Sequence, residues 1–176
     1  GRAEPFVAVP ALAQAAERAG AVIREACAVR TLDVQNGRVA GVVTEAGRVR
    51  ADRVVLAGGA WSTYFAANAG LDLPQLAVRS TVMRTEPAPD VIGPNISSPG
   101  LAIRRRADGG YSVTSGDLAE HFLSPKSFRY FAKYLKLMKA SAKDVRIRVA
   151  APKGYPGAWG AKRRWGADEA SPFEAM

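Results

Sequence analysis

Apolar residues recur at Leu12, Ala15, Ala16 and Ala19, the i, i+3, i+4, i+7 spacing that puts four side chains on one helical face. Gln14, Glu17 and Arg18 fall opposite. Pro10 suits a first helical turn and Gly20 a C-cap, so the pattern predicts a helix over 10–19. The period then changes. After a short apolar stretch, Ala21–Ile23, residues 29–34 alternate loosely. Asn36-Gly37 follows, a pair that tolerates positive φ at both centres of a hairpin turn, and 39–44 returns as its second strand. Ala46-Gly47 turns again, and Val49 starts a third strand of a meander. Val54-Val55-Leu56 is an unbroken apolar run, too short for a helix, and predicts a strand over 53–57 buried on both faces. Gly58-Gly59 breaks it, and Trp61 to Ala69 reads as a helix stopped by Gly70.

Alternation resumes in the second half. Leu76 to Thr85 sets Val78, Ser80 and Val82 against Arg79, Thr81 and Met83, which predicts one strand of a mostly antiparallel sheet. Residues 90–100 carry Gly93-Pro94 and Pro99-Gly100 and read as a loop. A hairpin joins 101–105 to 111–115 through Ala107-Asp108-Gly109-Gly110, with Arg104-Arg105-Arg106 near its turn as solvated charges. Ser124-Pro125 opens a helix over 125–139. Its apolar face is Phe128, Phe131, Leu135 and Met138, widened by Tyr130, Tyr134 and Leu137, and its cationic face is Lys126, Arg129, Lys133 and Lys136. Val145, Ile147 and Val149 give a last strand. The tail 151–176 has no period, and its spaced glycines Gly154, Gly157 and Gly160 do not match a nucleotide loop. It is either loop or a segment packing on further material.

Composition narrows the chemistry. The chain has 176 residues, 48% of them hydrophobic, enough for one domain or a domain and a piece of another. One cysteine, Cys27, excludes an internal disulfide and a cysteine metal site. A single His121 leaves no histidine cluster for a metal. Asp52, Asp117 and Glu120 stand apart, so no paired carboxylates suggest acid–base work. No apolar run is long enough to span a bilayer and no signal peptide shows, so the expected setting is cytoplasmic. The net charge of +9 is compatible with solvated surface, with helix 125–139 lying on an anionic membrane, or with a basic nucleic-acid-binding module. That module would use Arg104–Arg106, the lysine helix and Lys162-Arg163-Arg164-Trp165, a tryptophan able to stack on a base.

The stretch from Arg50 to Ser62 carries the sharpest chemistry. A dry strand, a glycine turn and a helix in that order let a ligand approach bare main chain beside free N–H groups. A plain strand-to-helix turn uses the same residues. Gly1 to Pro5 leads straight into a helix with no first strand and no glycine loop, so the chain is expected to be the middle of something longer.

Three pieces in order complete the picture: Ala19-Gly20-Ala21 after a proline-started helix, Gly37-Arg38-Val39-Ala40-Gly41-Val42 on a hairpin, and Ala51 through Ser62. Together they resemble the middle of a D-amino-acid-oxidase-like (DAO) FAD-dependent oxidoreductase, the group containing glycine, sarcosine and dimethylglycine oxidases. The likeness runs over about 5–116, and Gly37 to Ser62 is its specific part. It implies an α/β (α+β) fold. Part of an FAD-binding domain of nucleotide-binding type, with the three-stranded meander, would fill 1–72. A mostly antiparallel substrate-domain sheet with a flanking helix would fill 73–150, and an irregular tail 151–176.

By the same resemblance, Val29 meets the adenine end of FAD, and Ala57, Gly58, Gly59 and Trp61 lie by the cofactor. Met83, Arg84 and Arg105 are the candidates for the substrate wall. The implied reaction oxidises a C–N bond of an amino acid or a secondary or tertiary amine by hydride transfer to flavin. No catalytic side chain is assigned. Some members place a substrate-binding tyrosine where Ala102 stands here. The opening G-x-G-x-x-G loop, its ribose-binding acid and the closing flavin-contact segment are absent. A central fragment is therefore expected, inactive alone and not retaining FAD. Its partners would be the missing N- and C-terminal segments of the same chain and a small amine or amino-acid substrate, with no metal.

Overall fold

Short elements joined by long connections make up the computed structural model, which describes residues 3–93, 95–115 and 119–174. Gly1, Arg2, the proline of the Gly93-Pro94 turn and the lone acid Asp117 lie outside the described residues. In chain order the elements are α1 (Pro5–Arg18), β1 (Val29–Gln35), β2 (Arg38–Thr44), β3 (Gly47–Arg50), a 3-10 turn (Gly59–Trp61), α2 (Ser62–Asn68), β4 (Val82–Arg84), β5 (Ile96–Ser98), β6 (Leu101–Arg105), β7 (Tyr111–Thr114), β8 (Ala119–Phe122), α3 (Pro125–Arg129), α4 (Phe131–Ala140) and β9 (Val145–Arg148). They form two compact units. One takes 1–25, 79–120 and 140–146, the other 26–78, 121–139 and 147–176.

In the first unit, helix α1 starts earlier than its pattern suggests. Pro5 occupies the first helical turn and Pro10 lies inside the helix, five residues after the start rather than at it. The end is as expected: Gly20 takes φ +95°, its N–H bonds Glu17 O, and Ala21 N–H bonds Ala16 O, a Schellman stop. The apolar stripe is present but uncovered, with Leu12 at 70% exposure. The sheet runs β4-β7-β6-β5 and is antiparallel throughout. Only 82–84 of the expected strand 76–85 joins it, while Arg79 bridges to Glu120 outside any strand. The 90–100 loop contributes a strand of its own, β5, pairing Ile96 with Ile103. The three hairpin arginines are not solvated charges. Arg106 is 7% exposed and stacks 5.6 Å from the Phe6 ring. Arg104 donates to Ala3 O at 2.5 Å, and Arg105 to Ala88 O, Pro89 O and the Tyr111 hydroxyl.

The second unit opens with the predicted meander, β1-β2-β3. Asn36 at φ +51° and Gly37 at φ +76° make the tight turn. Gly41 is required where it stands: at φ +146°, a Cβ there would lie 2.0 Å from Val49 O. The dry strand at 53–57 does not form. Among the described residues no strand lies beside it to take its hydrogen bonds, and Val55 is 88% exposed. The helix after the glycines is in two parts, the 3-10 turn and α2, and Gly70 ends it through a second Schellman stop, with Leu71 N–H on Ala66 O. Residues Ser62 to Ala66 are all buried.

The expected helix 125–139 breaks at Tyr130 into α3 and α4. Its buried stripe is also different. Phe128 and Phe131 are 62% and 51% exposed, while Tyr130 is 3% exposed, with Tyr134 and Met138 half-buried one and two turns on. Tyrosine wins those positions because its hydroxyl can satisfy loop groups: Tyr130 donates to Asp72, and Tyr134 to Pro74 O at 2.7 Å. Ala119 N–H bonds Asp144 O and Leu123 N–H bonds Arg148 O, so β8 and β9 run parallel, with α3 and α4 as the crossover that parallel strands need.

The tail packs on the second unit itself. Trp165 is 6% exposed, donates its indole N–H to Arg30 O at 2.6 Å, and meets the rings of Tyr64 and Phe173. Trp165→Ala removes all of this, and the expected cost is about 3–5 kcal/mol, read as a lower urea midpoint. Glu174 closes the same contact by accepting from Arg30 Nε at 2.9 Å, and that hydrogen bond holds its carboxyl at about 2, against an ordinary 4.5. A depressed carboxyl stabilises above its unfolded value and loses that contribution as pH falls through the folded one. The stability gap between wild type and Glu174→Gln should therefore be constant above about pH 5 and close as pH approaches 2.

Candidate functional site

The glycine turn is the most accessible main chain beside a buried helix. Ala57, Gly58 and Gly59 are exposed, whereas α2 directly after them is the best-buried element of the chain. Gly59 takes φ +54°, and a Cβ there would meet nothing within 4 Å. Its backbone is therefore open to any group that approaches. Gly58 is tighter, with a Cβ 3.3 Å from Ser62 Oγ. Three bonds steady the turn and the start of α2: Trp61 N–H to Gly58 O at 3.0 Å, Gln75 Nε2 to Gly59 O at 3.3 Å, and Thr63 Oγ1 to Leu73 O at 2.7 Å. Lys126 reaches in from α3 and donates to Thr63 O at 2.6 Å and to the Thr63 hydroxyl.

Trp61 is half-buried, and its Nε1 is shielded from water without an acceptor among the described residues. An orphaned indole N–H costs free energy unless a ligand supplies the acceptor. Trp61 also lines a cavity of about 620 Å³ formed with Tyr64 and the tail from Ala151 to Ala161. Bare main chain, an unmatched donor and adjoining space fit a flat, acceptor-rich group such as a flavin nucleotide. Val29 is half-buried at the start of β1, opposite Thr44 and just before a bulge, in the same unit as the turn but not among the residues lining that cavity.

In the other unit the register separates the three substrate-wall candidates. Met83 pairs with Val113, which pairs with Ile103, so Met83 and Arg105 share a sheet face. Arg84 pairs with Ser112 and shares the opposite face with Arg104. Met83 is 60% exposed. Arg84 is bound to Asp108 at 3.0 Å, where the Gly110 N–H and then Arg106 keep the carboxyl below its usual range against the effect of burial. Arg105 is committed to the 88–90 loop. A groove of about 370 Å³ runs along the Arg84 face, lined by Val82, Ser97, Ala102, Arg104, Ser112 and Thr114. Ser97, Ser112 and Thr114 of this groove escape sequence reasoning. Small polar residues alternating on short strands look like ordinary strand surface until the register puts them together.

His121 belongs to scaffold. It is buried, its Nδ1 donates to Ala77 O at 2.8 Å, and Nε2 pairs with Ser127 Oγ at 2.9 Å. Ser127 Oγ in turn accepts the Ser124 N–H that opens α3. Glu120 is ion-paired with Arg79 at 2.6 Å. Among the described residues no His, Cys, Asp and Glu side chains gather as a metal site, and no helix is long and apolar enough to cross a membrane.

Comparison with known proteins bears on this geometry directly. The family model for FAD dependent oxidoreductases, DAO, matches residues 1–163. Glycine oxidase of Pseudomonas putida is 33% identical over 123 residues, 70% of this chain and 33% of that protein. The formaldehyde-forming 4-methylaminobutanoate oxidase of Paenarthrobacter nicotinovorans is 34% identical over 113 residues, 64% of this chain and 13% of that protein. Among solved structures, L-amino acid deaminase from Proteus vulgaris superposes with a TM-score of 0.80 and 33% identity, over 94% of this chain and 38% of that one. The chain thus spans well under half the length of each of these relatives. The match over residues 1–163 shows that the chain belongs to the DAO family of FAD dependent oxidoreductases.

Proposed function

We propose that the protein serves an FAD-dependent oxidation of a C–N bond in an amino acid or a secondary or tertiary amine. The observation that carries this is the exposed Gly58-Gly59 main chain followed by the unmatched Trp61 indole N–H. The names of the relatives support the substrate class: an oxidase of glycine, an oxidase of a methylamino acid and a deaminase of L-amino acids. When bound, FAD supplies the redox chemistry by accepting a hydride from the carbon beside the amine nitrogen. The oxidised C=N bond then hydrolyses.

Each part of this chain has a role in that reading. Ala57, Gly58 and Gly59 let the cofactor lie against bare backbone, and Trp61 offers it a hydrogen bond. Val29 contributes main chain toward the adenine end. The sheet β4-β7-β6-β5 forms a substrate wall, with Met83, Arg84 and Arg105 as its candidate contacts. The domain division that goes with this is 1–72 for FAD, 73–150 for substrate and 151–176 as a tail. The setting is cytoplasmic, in keeping with one half-buried free cysteine, Cys27. None of the named relatives is a nucleic-acid-binding protein, and the basic-module alternative gains no support from them.

Full-length protein titrated with FAD gives the test. Gly59→Val puts a β-branched side chain at φ +54° and into the open face, so FAD affinity should fall at least about tenfold while circular dichroism stays unchanged. Trp61→Phe removes one donor and keeps the ring, and should weaken FAD roughly threefold to tenfold. Anaerobic mixing with a panel of amino acids and N-methyl amines should bleach the bound flavin. Failure of every amine to do so, or full FAD affinity in Gly59→Val, would overturn the proposal.

A further inference from the structure

A second cavity, of about 310 Å³, opens in the unit that holds α2, and none of Val29, Ala57, Gly58, Gly59 or Trp61 lines it. Its walls come from the end of α2, the first turn of α3 and the tail. Four cationic side chains line it, Lys126, Arg129, Arg163 and Arg164, against a single carboxylate, Asp72. That carboxylate is already taken. It accepts from the Tyr130 hydroxyl and, at 3.2 Å, from Arg129, and the Tyr130 bond first, then the nearby cations, hold it below its usual range despite burial.

The two tail arginines have only neutral partners. Arg163 gives one N–H to Trp159 O at 3.1 Å, and Arg164 one to Asn68 O at 3.4 Å. Neither has a carboxylate partner among the described residues. A guanidinium carries five N–H donors, so most of theirs remain for a ligand. Lys126 is half-buried, and burial, then the charge of Arg129, push its ammonium below the usual lysine range. An anion in the cavity would offset both by its charge, while the ammonium keeps its bonds to Thr63.

We propose that this cavity binds a small phosphate-bearing molecule, its phosphate held by Arg163 and Arg164 with Lys126 and Arg129 completing the positive wall. A carboxylate brings one charge and satisfies a single arginine fork. A phosphate monoester brings close to two charges and three acceptor oxygens, which matches an excess of several cations. The volume sits at the small end of ligand cavities, about 300–1,000 Å³, so the molecule is small. Walls from three separate segments suit one small molecule, not the long backbone of a nucleic acid. The proposal rests on no part of the flavin reading.

Inorganic pyrophosphate is the probe, titrated calorimetrically into full-length protein at low ionic strength. Binding tighter than about 1 mM is expected, with succinate at least about tenfold weaker. Arg163 and Arg164 are exposed, so R163Q/R164Q should fold normally and lose at least about tenfold in pyrophosphate affinity. The charge-matched control R18Q/R48Q, with both substitutions elsewhere, and Gly59→Val should each stay within about twofold of wild type. No pyrophosphate binding, equal losses in R18Q/R48Q, or succinate binding as tightly as pyrophosphate would overturn the site. Because Gly59→Val reads the flavin turn and R163Q/R164Q reads this cavity, either proposal can fail alone.

Discussion

Carbonyls of loops, and one at the β1 bulge, captured by the polar tips of aromatic side chains hold this protein together. Trp165 takes Arg30 O, Tyr64 takes Lys162 O, Tyr155 takes Ala77 O, Trp159 takes Leu123 O and Tyr134 takes Pro74 O. In the sheet unit Tyr111 does the same with Pro89 O. The reason is the scarcity of regular structure. Long connections leave backbone acceptors without ladder partners, and a buried unpaired carbonyl is costly. Among the described residues no large side chain is below 2% exposure, so purely apolar packing is not the main adhesive. An aromatic ring with a donor at its edge buries area and satisfies a carbonyl in one step.

This constraint explains what positions the glycine turn. Helix α2 is buried because the tail folds over it, and the tail stays there through Tyr64, Trp165 and the Arg30–Glu174 pair. A firmly held helix directly after two exposed glycines fixes where their bare backbone faces. Lys126 adds a second support by filling the Thr63 carbonyl from α3. The turn is therefore local main chain held by distant residues, through contacts about a hundred residues away in sequence.

What was legible in the sequence was whatever local chemistry decides. Asn36-Gly37 demanded a hairpin, and Gly20 and Gly70 demanded helix ends, because only those residues take positive φ cheaply. Val54-Val55-Leu56 shows where such reading stops. Its dryness predicted a strand buried on both faces, but Val55 and Leu56 are exposed, because a strand exists only if neighbours accept its hydrogen bonds, and pattern cannot supply neighbours. Leu12 and the rest of the α1 stripe make the same point for a helix: the periodicity is real, and none of the described residues covers it. In 125–139 the apolar count favoured phenylalanines, whereas the unsatisfied groups of the 72–74 loop selected tyrosines for the inner face.

The basic residues carry the same lesson into function. By composition alone, Arg104–Arg106, the lysine helix and Lys162–Arg164 were equivalent patches of charge. Folding makes them unlike one another. The hairpin arginines are consumed by internal acceptors and by the Phe6 and Tyr111 rings. Lys162 is neutralised by Glu169 at 2.8 Å. Arg163 and Arg164 instead come to rest beside Lys126 and Arg129 with neutral oxygens for partners. That convergence joins segments more than thirty residues apart, and it arises because Tyr64 and Asn68 anchor the chain at Lys162 and Trp165 on either side. Charge becomes a candidate binding surface here because hydrogen bonds made by uncharged neighbours place Arg163 and Arg164 where, among the described residues, neither has a carboxylate partner.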